Sequence, residues 1–216
     1  MPKGFKPLLI LTYVAMSVAL WAAFMYAPTE ATMGHVQRIF YFHVPSAWVS
    51  FIAFFIVCVA SIAFLKTGSI KWDRLAATSA EIGVLFITIV LVTGPLWAKP
   101  VWGTFWTWDA RLTTSLILWL IYVAYLMVRN YTQDKERGAR FAAVFGIIGF
   151  VDVPIVYLSI RWWRTLHPAP VIGGGGGLDP TMLTTLLISV FAFTLLYIVL
   201  MVLNYKAHTL DHYFND

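Results

Sequence analysis

Apolar residues run in blocks along this chain, without the helical stripes of a soluble protein. Six blocks are long enough to cross a hydrocarbon core of about 30 Å as helices, which takes about 20 residues: 8–27, 44–65, 75–97, 114–130, 139–160 and 182–203, the fourth being the shortest. The pattern predicts an all-α polytopic membrane protein with six transmembrane helices, organised as one membrane-embedded domain over 1–216. Composition agrees, since 60% hydrophobic and 12% charged residues cannot clothe a soluble domain of 216 residues in a water-facing surface. The first block exceeds the usual apolar length of a secretory signal and is read as a span.

Six spans put both termini on one side of the membrane. That side collects Lys3, Lys6, Lys66, Lys71, Arg74, Arg129, Lys135, Arg137, Arg140 and Lys206, whereas the other side has Arg38, Lys99, Arg111, Arg161 and Arg164. The excess places both termini in the cytoplasm. The net charge of +5 is then a topology signal, and no basic domain is present for nucleic acid. Cys58 is the only cysteine, which excludes an internal disulfide, a CxxC redox pair and a CxxCH haem attachment site.

Unusual chemistry gathers in three outer segments. Residues 28–43 carry His35 and His43, residues 97–113 carry a tryptophan cluster, and residues 161–181 carry His167 and five consecutive glycines, Gly173 to Gly177, read as a slack linker. Trp48, Trp97, Trp102, Trp106, Trp108, Trp162 and Trp163 fall at or beyond the outer surface, Trp21 and Trp119 in the outer halves of their spans, and Trp72 alone inside. An interfacial belt would populate both surfaces. A flat, largely apolar ligand held outside explains the imbalance, because indole rings supply large stacking area. On a helix continuing from Pro100, Phe105, Trp106 and Asp109 would lie within about 60° of Trp102 and Arg111 roughly opposite, although Gly103 leaves a strand or loop open.

Haem would use these features together. Its iron takes axial imidazoles, its porphyrin needs flat apolar walls, and its propionates need cations, for which Arg38 and Arg111 are the preferred pair. Zinc is less natural, since it takes three or four ligands in fixed geometry. A transmembrane b-haem electron carrier would stack histidines through the bilayer, and the six apolar blocks contain none. His208 and His212 read as a solvated cytoplasmic tail.

The segment GPLWAKPVWGTFWTWDARLT resembles the tryptophan-rich WWD signature of haem-handling membrane proteins, and IFYFHVPSAW with RWWRTLHPAP resembles the two histidine-bearing flanks of the CcmC family of cytochrome c biogenesis. Together with the six-span plan the resemblance covers nearly the whole chain. It implies a protein of the bacterial cytoplasmic (inner) membrane that binds b-type haem non-covalently, in transit, on the periplasmic side and delivers it to the haem chaperone CcmE, with a small subunit CcmD and an ABC-type CcmA/CcmB complex as further partners. It assigns His43 and His167 as axial ligands and the stretch Trp102 to Asp109, centred on Trp106, Trp108 and Asp109, as the haem-binding segment. Phe105 stands where the signature tends to have Trp, which keeps the stacking surface and removes an indole N–H. The glycine run is not a family feature. No enzyme is implied. Two other classes are a haem lyase, which is typically longer, and a haem-transporting permease subunit, for which Glu81 and Asp152 are the intramembrane ionisable candidates.

Overall fold

The computed structural model describes residues 3–167 and 177–215, with side chains to residue 210, and these form an all-α bundle. Helix α1 (Phe5–Trp21) closes with a π-helical turn (Ala22–Tyr26); a 3₁₀ turn (His35–Ile39) feeds α2 (Phe40–Thr67); then follow α3 (Ile70–Trp102), α4 (Ala110–Tyr131), α5 (Lys135–Trp162) and α6 (Pro180–Asn215). All six are long and apolar enough to span a membrane. Each turns large apolar side chains outward, such as Ile10 and Tyr13 on α1 or Phe141 and Ile148 on α5, an arrangement stable only in lipid.

Local chemistry sets the ends. Gly68 closes α2 in the left-handed region at φ 67°, its N–H donating to the Phe64 carbonyl at 2.8 Å, and a two-residue turn leads straight into α3. Asp134 caps α5 by accepting the N–H groups of Glu136 and Arg137 at 3.0 and 3.1 Å. These tight turns make one end of the bundle, shared with both termini. The opposite end carries the longer segments 27–34, 103–109, 163–167 and 177–179.

Helix α2 is central, packed on α3, α5 and α6; α4 lies against α3 and α5, and α1 against α6. Association of helices in lipid depends on close approach, because the tails are as apolar as the side chains. Small residues supply it. A Cβ at Gly83 of α3 would lie 2.6 Å from Phe54 Cε1 and 3.1 Å from Ala53 of α2, and one at Gly146 of α5 would lie 2.8 Å from Val57. Phe54 is fully buried and stacks on Tyr122 of α4 at 3.7 Å, and the Tyr122 hydroxyl donates to the Gly146 carbonyl at 3.0 Å. Four helices thus meet around one aromatic pair.

Polar ties cross the interfaces at three heights. At the terminal end buried Asp73 of α3 accepts both arms of Arg129 from α4, Nη2 to Oδ2 at 2.7 Å. At mid-height Trp119 Nε1 donates to Thr88 Oγ1 at 2.8 Å. Ser79 donates to the Ala53 carbonyl at 2.8 Å and lies 2.7 Å from the Tyr197 hydroxyl, which joins α3 to α2 and α6.

Several expectations change. Helix α2 begins at Phe40, before Pro45, so His43 stands in its first turn and not in a preceding loop. Helix α6 runs on to Asn215, and His208 is no solvated tail: its Nε2 lies 3.0 and 3.1 Å from the two Glu81 oxygens, beside Asn204. The membrane-spanning helices therefore do contain histidines, at opposite ends of the bundle. Helix α5 continues unbroken through Asp152 and Pro154, and Asp152 is buried, with Oδ2 lacking a partner among the described residues. Gly173 to Gly176 lie outside the described residues.

Gly83→Ala should push Phe54 off Tyr122 and loosen the bundle. Overpacking of this kind costs about 1–3 kcal/mol, visible as a lower midpoint of thermal unfolding in detergent; an unchanged midpoint would show that the α2–α3 contact yields freely.

Candidate functional site

The long connections surround a cavity of about 430 Å³ that runs from the 27–34 segment down between α2, α3 and α4 to Phe51 and Ile87. This is the volume range of small-molecule and cofactor sites, about 300–1,000 Å³. Its walls are mostly apolar. His43, His167, Trp97, Trp102, Trp106 and Arg111 all line it.

His43 enters from α2 because the 3₁₀ turn at His35–Ile39 starts the helix early and points this residue at α3. Three positions of α3 hold its ring. Thr93 Oγ1 lies 2.9 Å from Nδ1, the bare Cα of Gly94 leaves room beside Cε1, which a Cβ there would meet at 3.4 Å, and the Trp97 ring stands edge-on at 5.9 Å and 70°. His167 lines the same cavity from the segment that follows α5.

The tryptophan segment is a loop, and the helical face expected from Pro100 onward is not formed. Gly103 takes φ 76° as the C-cap of α3, its N–H donating to the Lys99 carbonyl at 3.0 Å. A left-handed glycine ends a helix without steric cost, and a one-residue change of direction then breaks the 100° progression. Trp102 stays on α3 and Trp106 folds back from the loop, so both reach the cavity. Phe105 and Trp108 do not line it: they are 52% and 71% exposed, Phe105 under the Lys99 ammonium at 5.2 Å and Trp108 edge-on to Trp106 at 5.6 Å. Trp108 itself adopts φ 55°, uncommon for a bulky residue and characteristic of functional segments.

Asp109 does not line the cavity either; it holds the wall together. Its Oδ1 accepts the Leu112 N–H at 2.9 Å and caps α4, while its Oδ2 accepts the Thr165 hydroxyl at 2.8 Å. Thr165 Oγ1 in turn accepts the backbone N–H of His167 at 3.0 Å. The carboxylate of the tryptophan segment is thus two hydrogen bonds from the backbone of His167.

The two expected cations part company. Arg111 lines the same cavity as Trp106, and its Nη1 donates to the carbonyls of Val156 and Tyr157 at 2.9 and 3.2 Å. Nη2 and Nε remain to meet a carboxylate. Arg38 donates instead to the carbonyls of Ala23 and Ala27, satisfying the end of the π-turn after α1, and does not line the cavity. An arginine beside a helix end has carbonyls to satisfy before it has a ligand. His35 is exposed and outside the cavity as well.

These residues fit haem. Two imidazoles face one apolar space, an arginine stands on its wall, and the buried indole N–H groups of Trp97 and Trp106 have no hydrogen-bond partner among the described residues. Thr93 and Thr165 were not among the residues picked out from the sequence, and Trp97 was named there as a member of the cluster without being assigned to the ligand. Trp97 sat within the cluster and four residues beyond Thr93, one helical turn away; that both face His43 is a tertiary fact with no local signal.

Comparison with known proteins gives a consistent picture. The family model described as "Heme exporter protein C" (CcmC) matches residues 3–215. The chain is 39% identical to "Heme exporter protein C" of Bradyrhizobium diazoefficiens, covering 88% of this chain and 72% of that protein, and 38% identical to the protein of the same name from Escherichia coli K12, covering 88% and 77%. It is 36% identical to a "Putative cytochrome c biosynthesis ccmC-like mitochondrial protein" of Marchantia polymorpha, covering 94% and 86%.

Thr165→Val should release the His167 segment from Asp109. The expected result is faster cleavage by a soluble protease within 163–167, with the unfolding midpoint of the bundle little changed; equal cleavage rates would show that the tie does not hold the segment.

Proposed function

We propose that the chain, which belongs to the haem exporter protein C (CcmC) family, holds haem between His43 and His167 at the periplasmic face of the bacterial cytoplasmic membrane and hands it to the haem chaperone CcmE. Membership in the family carries a role in haem handling for cytochrome c maturation. The finer reading is supported chiefly by one observation, the convergence of His43 and His167 on a single apolar cavity walled by Trp97, Trp102 and Trp106.

The orientation follows from the lysine and arginine excess at the terminal end. Haem, b-type and not covalently bound, is the cargo; it brings iron that accepts two imidazole nitrogens. His43 presents a ring braced by α3, and His167 a ring on a segment secured by hydrogen bonds to Thr165 and Asp109. The indoles cover the macrocycle and keep water from the iron. Arg111 offers its Nη2 and Nε groups to one propionate. Among the described residues lining the cavity Arg111 is the one Lys or Arg, so it would hold one of the two propionates.

Release follows from the same asymmetry. Phe105 and Trp108 point away from the cavity and give the tryptophan segment an exposed aromatic surface at its rim. That surface suits the arriving chaperone, while the bound iron exchanges the loop-borne His167 more readily than the helix-borne His43. An ABC-type CcmA/CcmB pair and a small subunit CcmD complete the assembly we infer. The chain binds and transfers without catalysing a bond change of its own, and the relatives are named as exporters, not as enzymes. Glu81, a candidate of the permease reading, is engaged with Asn204 and His208 on the far end of the bundle from the cavity.

Protein purified in detergent and supplied with hemin should show a Soret band of bound haem. His43→Ala or His167→Ala should remove most of it, whereas Trp106→Ala should lower transfer to the chaperone at least as much as binding. Wild-type spectra from the double histidine variant would overturn the proposal.

A further inference from the structure

Thr93 sits one helical turn before Trp97 on α3, and its hydroxyl has two neighbours at hydrogen-bond distance. Oγ1 is 2.7 Å from the carbonyl of Ile89 and 2.9 Å from Nδ1 of His43. A hydroxyl carries a single proton. A carbonyl oxygen only accepts, so that proton goes to Ile89. Towards His43 the oxygen has lone pairs alone, and the proton on that line belongs to Nδ1.

This decides the state of the imidazole. We propose that Thr93 is a positioning residue for the haem ligand: it holds the neutral ring as the Nδ1–H tautomer, with the Nε2 lone pair presented to the cavity. The inference rests on the reading of His43 as an axial ligand and adds what makes it one. The opposite tautomer would carry a proton on Nε2 and could not ligate without first losing it. The rest of the ring is fixed by Gly94 beside Cε1 and by the Trp97 edge at 5.9 Å. Orientation and tautomer are therefore both set from α3 before any iron arrives. An Nδ1–H···O bond also makes the ring a better electron donor to a metal, and loss of such an outer partner costs about 10- to 100-fold in metal affinity. His167 stands on a segment tied to Thr165 through its backbone N–H.

The test uses Thr93→Val, which keeps the shape and removes the acceptor, Thr93→Ser, which restores it, and His43→Ala, each purified in detergent and titrated with hemin. Thr93→Val is expected to bind about 10- to 100-fold more weakly and to show a higher reduction potential, since a poorer donor stabilises ferric iron less; Thr93→Ser should return both values towards wild type. Size-exclusion elution and the thermal midpoint establish that each variant is folded. If Thr93→Val matches wild type in affinity and potential while His43→Ala loses the bound spectrum, the positioning role is wrong and the ligand assignment stands. If His43→Ala leaves the spectrum unchanged, the ligand assignment itself is wrong.

Discussion

Close approach of α2 to α3 is the constraint on which the rest depends. In lipid the burial of one apolar side chain against another gains little over contact with acyl tails, so the pair must be held by dispersion at short range and by hydrogen bonds that have no aqueous competitor. Gly83 opens the space for Phe54, Ser79 bonds the Ala53 carbonyl, and one helical register results. That register carries upward to the other end of the bundle, where it puts His43 against Thr93, Gly94 and Trp97. A slip of one residue along α3 would turn all three away.

On this frame the site is built from unequal parts. One wall is helical and rigid by construction. The other is a pair of segments, 103–109 and 163–167, made into a unit by a carboxylate: Asp109 caps α4 and accepts from Thr165, which accepts from the backbone of His167. A cargo that must be held and then surrendered suits such a division. On the function proposed above, affinity would come from a prepared ligand and apolar cover, and release would need only the loop side to give way.

Much of the fold could be read from block lengths, because twenty apolar residues in a row leave the backbone no choice but a helix across the bilayer. The six spans and their order followed, and the family could be named from the tryptophan segment and the two histidine flanks. What escaped were events outside local periodicity. Gly103 diverts the chain by a single left-handed residue, so Phe105 and Trp108 leave the face on which regular turns would have put them. Arg38 is taken by the carbonyls of Ala23 and Ala27, whose need arises from the π-turn and not from any residue type. His208 and Glu81 lie more than a hundred residues apart in sequence and meet only because α6 packs on α3. Thr93 is one hydroxyl among many in apolar helices until α2 brings an imidazole to it.

The most direct test of the account is the low-temperature electron paramagnetic resonance spectrum of the hemin-loaded protein in detergent. Two imidazoles converging on one iron predict a six-coordinate low-spin ferric signal, converted to high-spin in both His43→Ala and His167→Ala. A five-coordinate high-spin spectrum in the wild type, or a low-spin signal that survives in both variants, would contradict it.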